Sequence, residues 1–295
     1  MPLDTSFAPA RPRSAAPAPP WVPIGGGHAL FVRDWGEGPP VLLLSGWGMD
    51  GALWGETMAL LNGCGLRAIA YDRRGHGRST DPGGMGYDAL ADDLEAVLRT
   101  LEIEGVTIVA HSGAGGEAIR HAARHGSGRV RRLVLVGATG PCMRQRPDNP
   151  LGLPEEAVRA AMARLRDDLP GWIDDNAGPF APGAARRTLD WLAAMLLGAS
   201  RRAILDFQAE ILDADLRAEV TDLRLPVTLI HGDRDASAPM ELTARRYAEL
   251  IPGCELLVYP GVAHGVMVTH ARPLADDIAR TAARDAREPG GRPGR

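Results

Sequence analysis

This 295-residue sequence lacks the features of a disulfide-stapled, zinc-binding or membrane-spanning protein. Its three cysteines, Cys64, Cys142 and Cys254, are widely spaced and form no C-x-x-C pair. An odd number of isolated cysteines favours free thiols in a reducing compartment over a disulfide framework or a zinc site. No run of 18 apolar residues occurs, so no transmembrane helix is predicted.

An excess of charge of either sign is also missing, since 33 basic and 37 acidic residues give a formal net charge of −4. A protein that binds nucleic acid or an anionic membrane through its overall field needs a basic surplus, so we expect neither partner. The first twenty residues are rich in proline and alanine and lack the apolar stretch of a signal peptide. We expect a disordered leader at 1–20, a disordered tail at 284–295 and a cytoplasmic location.

Short β-rich segments alternate with helical ones over most of the chain, which is typical of an α/β fold. Several predicted strands are continuously apolar (VLLL, VTIVA, LVLV, VTLI), as in a mostly parallel sheet with helices on both faces. Helices are predicted over DALADDLEAVLRTL, with Asp81 or Asp88 as its N-cap, and over GGEAIRHAARHG. The predicted strands are 29–34, 40–44, 68–71, 106–110, 132–136, 227–230 and 255–259.

The alternation stops at 141–225, where the sequence predicts three or four consecutive helices. We interpret this stretch as a helical cap, inserted between two strands and covering the carboxyl edge of the sheet. That edge is where ligands bind in open α/β folds. The predicted organisation is a core formed by 21–140 and 226–283 with a cap at 141–225.

Residues 106–123, VTIVAHSGAGGEAIRHAA, admit two interpretations. Gly113, Gly115 and Ala118 satisfy the G-x-G-x-x-G/A pattern of a dinucleotide-binding loop. Such a loop follows the first strand of its fold and is followed by an acidic residue about 20 residues later. Here at least three predicted strands come first, and the next strand, RLVLVGATGP, carries no acidic residue. The dinucleotide interpretation fails both requirements.

The second interpretation is a nucleophile elbow, a sharp strand-to-helix turn that lifts a reactive serine above the sheet. Ser112 is the candidate, because Ala110 and Ala114, two residues before and after it, are small enough for the turn. A serine hydroxyl needs a base, and the base needs an acid that orients it. In this architecture the acid and then the histidine follow the serine along the chain. The aspartates of HGDRD and His264 occur in that order, each after a predicted strand.

The backbone must also stabilise negative charge on the substrate oxygen. The N–H of Gly113 lies at the start of the helix predicted after the serine, where it can donate to an anion. A second donor is expected in the loop after the first central strand, which contains Gly46-Trp47-Gly48. We predict that the N–H groups of Trp47 and Gly113 form an oxyanion hole.

With these residues identified, the sequence resembles the α/β-hydrolase fold family, and most closely its cofactor-free haloperoxidase, perhydrolase and aryl-esterase branch of serine hydrolases. The resemblance implies Ser112 as nucleophile, His264 as base and Asp235 as acid, with no metal and no cofactor. Asp235 is the second aspartate of the family's G-D-x-D turn, and Asp233, the first, is expected to cap the loop. The resemblance extends over nearly the whole chain. The stretches that carry it are LLLSGWGMDGALW, AIAYDRRGHGRS, VTIVAHSGAGG, ARHGSGRVRRLVLVGATGP, QRPDNPLGLP, HGDRD and AELIPGCELLVYPGVAHGVMVTH.

Three positions depart from the family's usual residues. Ser45 stands where histidine is usual, Gly48 where proline is common in peroxide-using members, and Gly113 where Met or Gln usually follows the nucleophile. We expect the small residues to open space beside the nucleophile for a bulkier or branched acyl group. The remaining candidates for the substrate pocket lie in or next to the cap: Cys142, Met143, Trp172, Phe180, Trp191, Met195 and Phe207, in addition to Gly48.

Other polar residues are assigned structural roles. His111 is expected to pack under the elbow, and His231 to support the loop that follows it. His121 and His125 have the i, i+4 spacing of metal ligands, but with no third ligand in view a solvated helix face is predicted. The charged segment YDRRGHGRS is expected to shape the scaffold.

The sequence therefore predicts a serine hydrolase that cleaves a carboxylic ester, lactone or thioester of an apolar small molecule through an acyl-enzyme. Two alternatives stay open. One is a cyclase, lyase, C–C hydrolase, cofactor-free dioxygenase, perhydrolase or haloperoxidase with the same pocket. The other is a receptor-like protein that binds its ligand without turnover. A small-molecule substrate is the expected partner, and a homo-oligomer stays open.

Overall fold

An eight-stranded sheet forms the centre of the computed structural model, which describes residues 20–284. Of the leader predicted at 1–20 and the tail predicted at 284–295, only residues 20 and 284 are among the described residues. The strands are β1 (Trp21–Gly25), β2 (His28–Trp35), β3 (Pro40–Leu44), β4 (Arg67–Tyr71), β5 (Val106–His111), β6 (Val130–Val136), β7 (Val227–Gly232) and β8 (Glu255–Tyr259). Their order in the sheet is β1-β2-β4-β3-β5-β6-β7-β8; β3 to β8 run parallel, while β1 pairs antiparallel with β2 and β2 with β4.

Helices cover both faces of the sheet, as predicted. The helices are α1 (Gly55–Gly63), α2 (Tyr87–Thr100), α3 (Ala114–His125), α4 (Glu155–Asp167), α5 (Leu169–Phe180), α6 (Arg186–Gly198), α7 (Arg201–Asp213), α8 (Arg217–Asp222), α9 (Ala244–Leu250), α10 (Val266–Thr269) and α11 (Ala271–Arg284). A 3-10 turn, Gly51–Trp54, precedes α1. Because successive side chains of a strand point to opposite faces, Leu42 packs in the core shared with α2 and α3, and Leu43 in the core shared with α1 and α11.

All seven predicted strands are present, and β1 is an eighth that the pattern does not indicate. Its sequence, WVPIG, contains a proline and has one fully buried side chain, Val22, so it lacks the apolar run used for prediction. The predicted N-cap of α2 is wrong. The helix begins after Gly86 with no side-chain cap, whereas Asp88 pairs with Arg120 and Asp81 accepts a hydrogen bond from the N–H of Gly83.

Five helices, α4 to α8, lie between β6 and β7 within residues 141–225, the segment that we call the cap. One of them, α5, is not separated from α4 by the sequence pattern. It begins where the Asp168 side chain accepts a hydrogen bond from the N–H of Gly171 (2.9 Å), an N-cap that interrupts the preceding helix. No helix in the described part of the chain is long and apolar enough to cross a membrane.

Candidate active site

A tight turn between β5 and α3 places Ser112 at the carboxyl edge of the sheet. Ser112 has a φ of +55°, a left-handed conformation that is strained for a residue with a side chain and that marks functional turns. Directly above this turn, the loop after β3 approaches so closely that only glycine fits at position 46. A Cβ there would lie 2.7 Å from His111 Nδ1 and 2.9 Å from Ser112 Cβ.

Three buried side chains form a continuous hydrogen-bonded chain at this edge. His264 Nε2 lies 2.9 Å from Ser112 Oγ, and His264 Nδ1 lies 2.6 Å from Asp235 Oδ2. The other oxygen of Asp235 accepts hydrogen bonds from the backbone N–H groups of Ser237 (2.9 Å) and Ala238 (2.7 Å). These bonds fix the carboxylate, so the imidazole is oriented with its free nitrogen towards the serine hydroxyl. Such a chain can pass a proton from serine to histidine.

Asp233 occupies a different position from Asp235. Its Oδ1 accepts a hydrogen bond from the N–H of Gly261 (2.6 Å), and the residue is exposed. Asp233 therefore joins the loops after β7 and β8, and Asp235 is the aspartate that contacts His264.

The predicted oxyanion donors lie on two segments that face each other across Ser112. Within residues 20–284, neither the N–H of Trp47 nor that of Gly113 has a hydrogen-bond partner. Gly113 is the N-cap residue of α3, and the loop that carries Trp47 is closed by a hydrogen bond from Ser45 Oγ to the carbonyl of Asp50 (2.8 Å). Two unpaired N–H groups next to a nucleophile can stabilise an oxyanion.

A cavity of about 290 Å³ lies between Ser112 and the cap. Its walls are mostly apolar, and no Arg, Lys, Asp or Glu among the described residues contributes to them. The lining residues are Trp47, Met49, His111, Ser112, Thr139, Met143, Leu153, Ala161, Trp172, Ile173, Asn176, Ala177, Pro179, Phe180, Leu192, Ala193, Leu196, Gln208, Ile211, Leu212, Ala236, Ser237 and His264.

Of the eight residues predicted to line the pocket, Met143, Trp172 and Phe180 border this cavity. The other five do not: Gly48, Cys142, Trp191, Met195 and Phe207.

Each of the five corrections has a structural cause. On α6, the inward residues are Leu192 and Leu196, so Trp191 is 41% exposed and Met195 packs beside the core of α1 and α11. Phe207 is fully buried beneath the elbow, Cys142 Sγ donates to the carbonyl of Arg144, and Gly48 is covered by the cap. The sequence identified large apolar side chains in the cap but did not indicate which of them face the cavity and which face the core or the solvent.

The space expected beside the nucleophile is absent, because the cap fills it. A Cβ at position 113 would lie 2.3 Å from Ile211 Cδ1, and one at position 48 would lie 2.4 Å from Leu196 Cδ2. The two glycines therefore let α6 and α7 approach the elbow and the oxyanion loop, and they do not enlarge the substrate cavity. Gly48 has a φ of +70°, which proline cannot adopt.

Hydrogen bonds tie the cap to the loops that carry the site. Trp47 Nε1 donates to the carbonyl of Ile204 (2.8 Å), and the N–H of Gly265, next to the site histidine, donates to the carbonyl of Phe180 (2.7 Å). The Phe180 ring also contacts His264 edge-on, with the ring centroids 5.7 Å apart. The position of the cap is thus coupled to that of both site loops.

The other histidines are held by local contacts. His111 Nε2 lies 3.2 Å from the carbonyl of His264, and burial together with the adjacent His264 lowers the pKa of His111 well below its usual value. His231 Nε2 donates to the carbonyl of Ala238 (2.8 Å), and this bond supports the loop that carries Asp235. Burial lowers the pKa of His231. His121 contacts Glu95, and His125 contacts Asp92.

Comparisons with known proteins find relatives that cover most of the chain. Residues 39–271 match the family described as alpha/beta hydrolase fold. The chain is 36% identical to a non-heme chloroperoxidase of Kitasatospora aureofaciens over 253 residues, which cover 81% of this chain and 90% of that protein. It is 32% identical to a bifunctional esterase/perhydrolase of Acinetobacter calcoaceticus over 269 residues, or 88% and 97% of the two chains.

Solved structures show the same similarity. A bromoperoxidase from Bacillus anthracis superimposes with a TM-score of 0.83 at 30% identity, covering 87% of this chain and 96% of that one. An esterase from Exiguobacterium antarcticum gives a TM-score of 0.85 at 26% identity, covering 89% and 98%.

Proposed function

Because this chain belongs to the alpha/beta-hydrolase fold family, as its sequence predicted, we propose that it is a serine hydrolase for esters of neutral, mainly apolar acids. The proposal rests chiefly on the hydrogen-bonded chain Ser112–His264–Asp235 at the floor of an uncharged cavity. Relatives named as esterases support the ester as the bond that is cleaved.

The reaction begins when Ser112 Oγ attacks the ester carbonyl carbon while His264 Nε2 accepts the hydroxyl proton. Asp235 stabilises the imidazolium that results. The N–H groups of Trp47 and Gly113 receive the developing oxyanion. The bond from the former carbonyl carbon to the alkoxide oxygen then breaks, His264 gives its proton to that oxygen so that the alcohol leaves, and the acyl group stays on Ser112 Oγ. A water molecule, activated by the same histidine, attacks the acyl group and releases the carboxylic acid.

The lining of the cavity indicates the class of acyl group. An ionised group that enters it would lose its water without gaining an oppositely charged partner, which is costly. Uncharged hydrogen-bonding groups are present in Thr139, Gln208, Asn176 and Ser237. We therefore expect neutral acyl chains, plain or carrying an uncharged polar group.

A second candidate is peroxide use, favoured by the similarity to a bifunctional esterase/perhydrolase and to chloroperoxidases. In that reaction hydrogen peroxide replaces water in the attack on the acyl-serine and leaves as a peroxyacid. The φ of +70° at Gly48 argues against it, since the peroxide-using members commonly carry a proline there. Formation of peroxyacid from an ester and hydrogen peroxide, measured beside simple hydrolysis, decides between the two activities.

The first test is release of p-nitrophenol from its valerate ester. Ser112→Ala should lower kcat on the order of 10⁶-fold, since no other nucleophile is held by the histidine. Ser127→Ala, in an exposed turn, is the matched control and should match the wild type. The mono-glutarate ester, which adds a carboxylate to a similar chain, should give kcat/KM about 10- to 100-fold lower than the valerate. Full activity of a folded Ser112→Ala protein would refute the serine mechanism.

A further inference from the structure

The charged segment after β4 sends one side chain, Arg73, underneath the oxyanion loop. Its side chain is 3% exposed, and its partner Glu117, in the first turn of α3, is fully buried. Arg73 Nε and Nη2 both donate to Glu117 Oε2, at 2.9 and 2.7 Å. The second carboxylate oxygen accepts a hydrogen bond from the hydroxyl of Tyr71. Burial and the charge of Glu117 raise the pKa of Tyr71, which keeps that hydroxyl protonated.

The remaining donors of Arg73 reach the backbone of the loop that holds Trp47. Nη2 donates to the carbonyl of Ser45 (2.7 Å), and Nη1 lies 3.4 Å from the carbonyl oxygen of Gly46. The Gly46 carbonyl and the Trp47 N–H belong to one peptide unit. Because a trans peptide is planar, its C=O and N–H point in opposite directions. Arg73, together with the N–H of Met49 (3.4 Å), holds this oxygen and therefore directs the Trp47 N–H to the opposite side of the peptide.

The same guanidinium contacts the residue behind the second donor. Arg73 Cζ lies 4.5 Å from the centroid of the Phe207 ring, and a Cβ at position 113 would lie 3.2 Å from Phe207 Cζ. The positive charge also polarises the Gly46–Trp47 peptide, which strengthens its N–H as a donor in a site of low dielectric. Arg73 thus supports the two sides of the oxyanion hole from one position.

We propose that Arg73, oriented by Glu117, is a positioning residue that sets the direction of the Trp47 N–H for oxyanion stabilisation. The inference rests on the proposed function, because it assigns a role within the same hydrolytic site. It goes beyond a scaffold role for the charged segment, since it predicts a loss of rate and not only of stability.

The adjacent arginine provides a control within the same segment. Arg74 Nε and Nη2 donate to Asp93, both at 2.7 Å, and its Nη1 donates to the carbonyls of Gly83 (2.9 Å) and Gly84 (3.1 Å). Like Arg73, Arg74 therefore binds one carboxylate and two backbone carbonyls. The carbonyls belong to a loop that precedes α2, and none of these bonds reaches the loop that carries Trp47.

The test compares the paired variants Arg73→Met/Glu117→Gln and Arg74→Met/Asp93→Asn. Changing both partners avoids an unpaired buried charge, which would unfold the protein. In Arg73→Met/Glu117→Gln we expect kcat to fall about 10- to 100-fold with KM within about threefold of wild type, since one oxyanion donor typically contributes 10²- to 10³-fold. Affinity for a trifluoromethyl ketone, which forms an oxyanion on Ser112, should weaken in parallel. The Arg74 pair should keep both values, and Arg73→Lys should recover part of the rate.

Three results would overturn the inference: an unchanged kcat in the folded Arg73 pair, equal losses in both pairs, or a crystal structure of the Arg73 pair with the Gly46–Trp47 peptide unmoved. If the wild type shows no Ser112-dependent turnover of any ester, the proposed function fails. The crystal structure of the variant still decides whether Arg73 orients the peptide.

Discussion

The regions below and above Ser112 differ in how they use charge. Below it, buried arginine–carboxylate pairs, Arg73 with Glu117 and Arg74 with Asp93, bind backbone carbonyls of loops. Above it, the cavity under the cap is bordered by apolar side chains and a few neutral amides and hydroxyls, with no Arg, Lys, Asp or Glu among the described residues. Buried ion pairs add little net stability, but removing one partner is costly because it leaves a buried charge unpaired.

This difference separates two kinds of effect on catalysis. The Arg73–Glu117 pair holds the loop that carries the Trp47 N–H, so its loss is expected in kcat. The Arg74–Asp93 pair binds a different loop, so its loss is expected to leave kcat unchanged. Side chains above the nucleophile contact the substrate in the ground state and the transition state alike, so their loss is expected in KM. Variants in the hydrogen-bonded chain of the nucleophile, in the cavity above it, and at the contact between the elbow and the cap test that separation.

Among these variants the largest effect is expected at Asp235, the proposed acid. Asp235→Asn keeps the shape of the side chain but removes the acceptor that orients His264 and stabilises its protonated form. We expect kcat for p-nitrophenyl valerate to fall about 10⁴-fold with little change in KM. Steady-state kinetics on the folded variant measure both values.

Asp233→Asn is the matched control, because Asp233 is two residues away and bonds Gly261 instead of the histidine. We expect its kcat to stay within a few-fold of wild type. A larger loss in Asp233→Asn than in Asp235→Asn would reverse the assignment of the acid.

The boundary between the two regions is tested at Gly113. In Gly113→Ala the new methyl group collides with Ile211, so the cap must move outwards or the elbow must shift. Overpacking of this kind costs about 1–3 kcal/mol of unfolding free energy, and we expect kcat to fall roughly tenfold as the Gly113 N–H moves. The melting temperature and kcat should fall together.

The double variant Gly113→Ala/Ile211→Ala removes the colliding side chain and should recover part of both losses relative to Gly113→Ala. Ile211→Ala alone measures the cost of the truncation, which completes a double-mutant cycle. Additive effects in that cycle would show that the contact between the cap and the elbow is not what requires glycine here.

The sheet and the meeting of Ser112, His264 and Asp235 at its carboxyl edge were predictable from the sequence because each rests on local chemistry. Small residues around Ser112 permit the elbow, and apolar runs of strand length indicate a buried parallel sheet. Asp235 was separable from Asp233 only through the resemblance to a family, since spacing alone allows both.

The walls of the cavity were not predictable in the same way. The inward side of α6 is set by its packing on the core, so Leu192 and Leu196 face the cavity where Trp191 was expected. The space expected at Gly113 is occupied by Ile211, which lies about 100 residues later in the chain. Long-range packing of this kind leaves no local signal in composition or periodicity.

The smallest effect is expected in the cavity under the cap, at Gln208. This residue lies on α7 four positions after Ile204 and three before Ile211, on the helix face that contacts the site loops. Gln208 borders the cavity, and its amide has no hydrogen-bond partner in the described part of the chain. A neutral substrate with an amide or hydroxyl on its acyl chain is the partner that such a group can bind. One neutral hydrogen bond contributes about 0.5–1.5 kcal/mol, so Gln208→Leu should lower kcat/KM for a hydroxyacyl ester roughly 2- to 10-fold.

The same variant should leave the plain valerate ester unchanged or slightly improved, because leucine replaces an unpaired amide with an apolar surface. The loss for the hydroxyacyl ester should lie in KM, with kcat retained, in contrast to variants below the nucleophile. A fall in kcat for both esters would place Gln208 among the groups that hold the catalytic geometry. The separation between the charged region below Ser112 and the neutral cavity above it would then fail at α7. Comparing the two esters on one variant therefore tests the division of roles directly, since any general damage to the fold lowers both rates together.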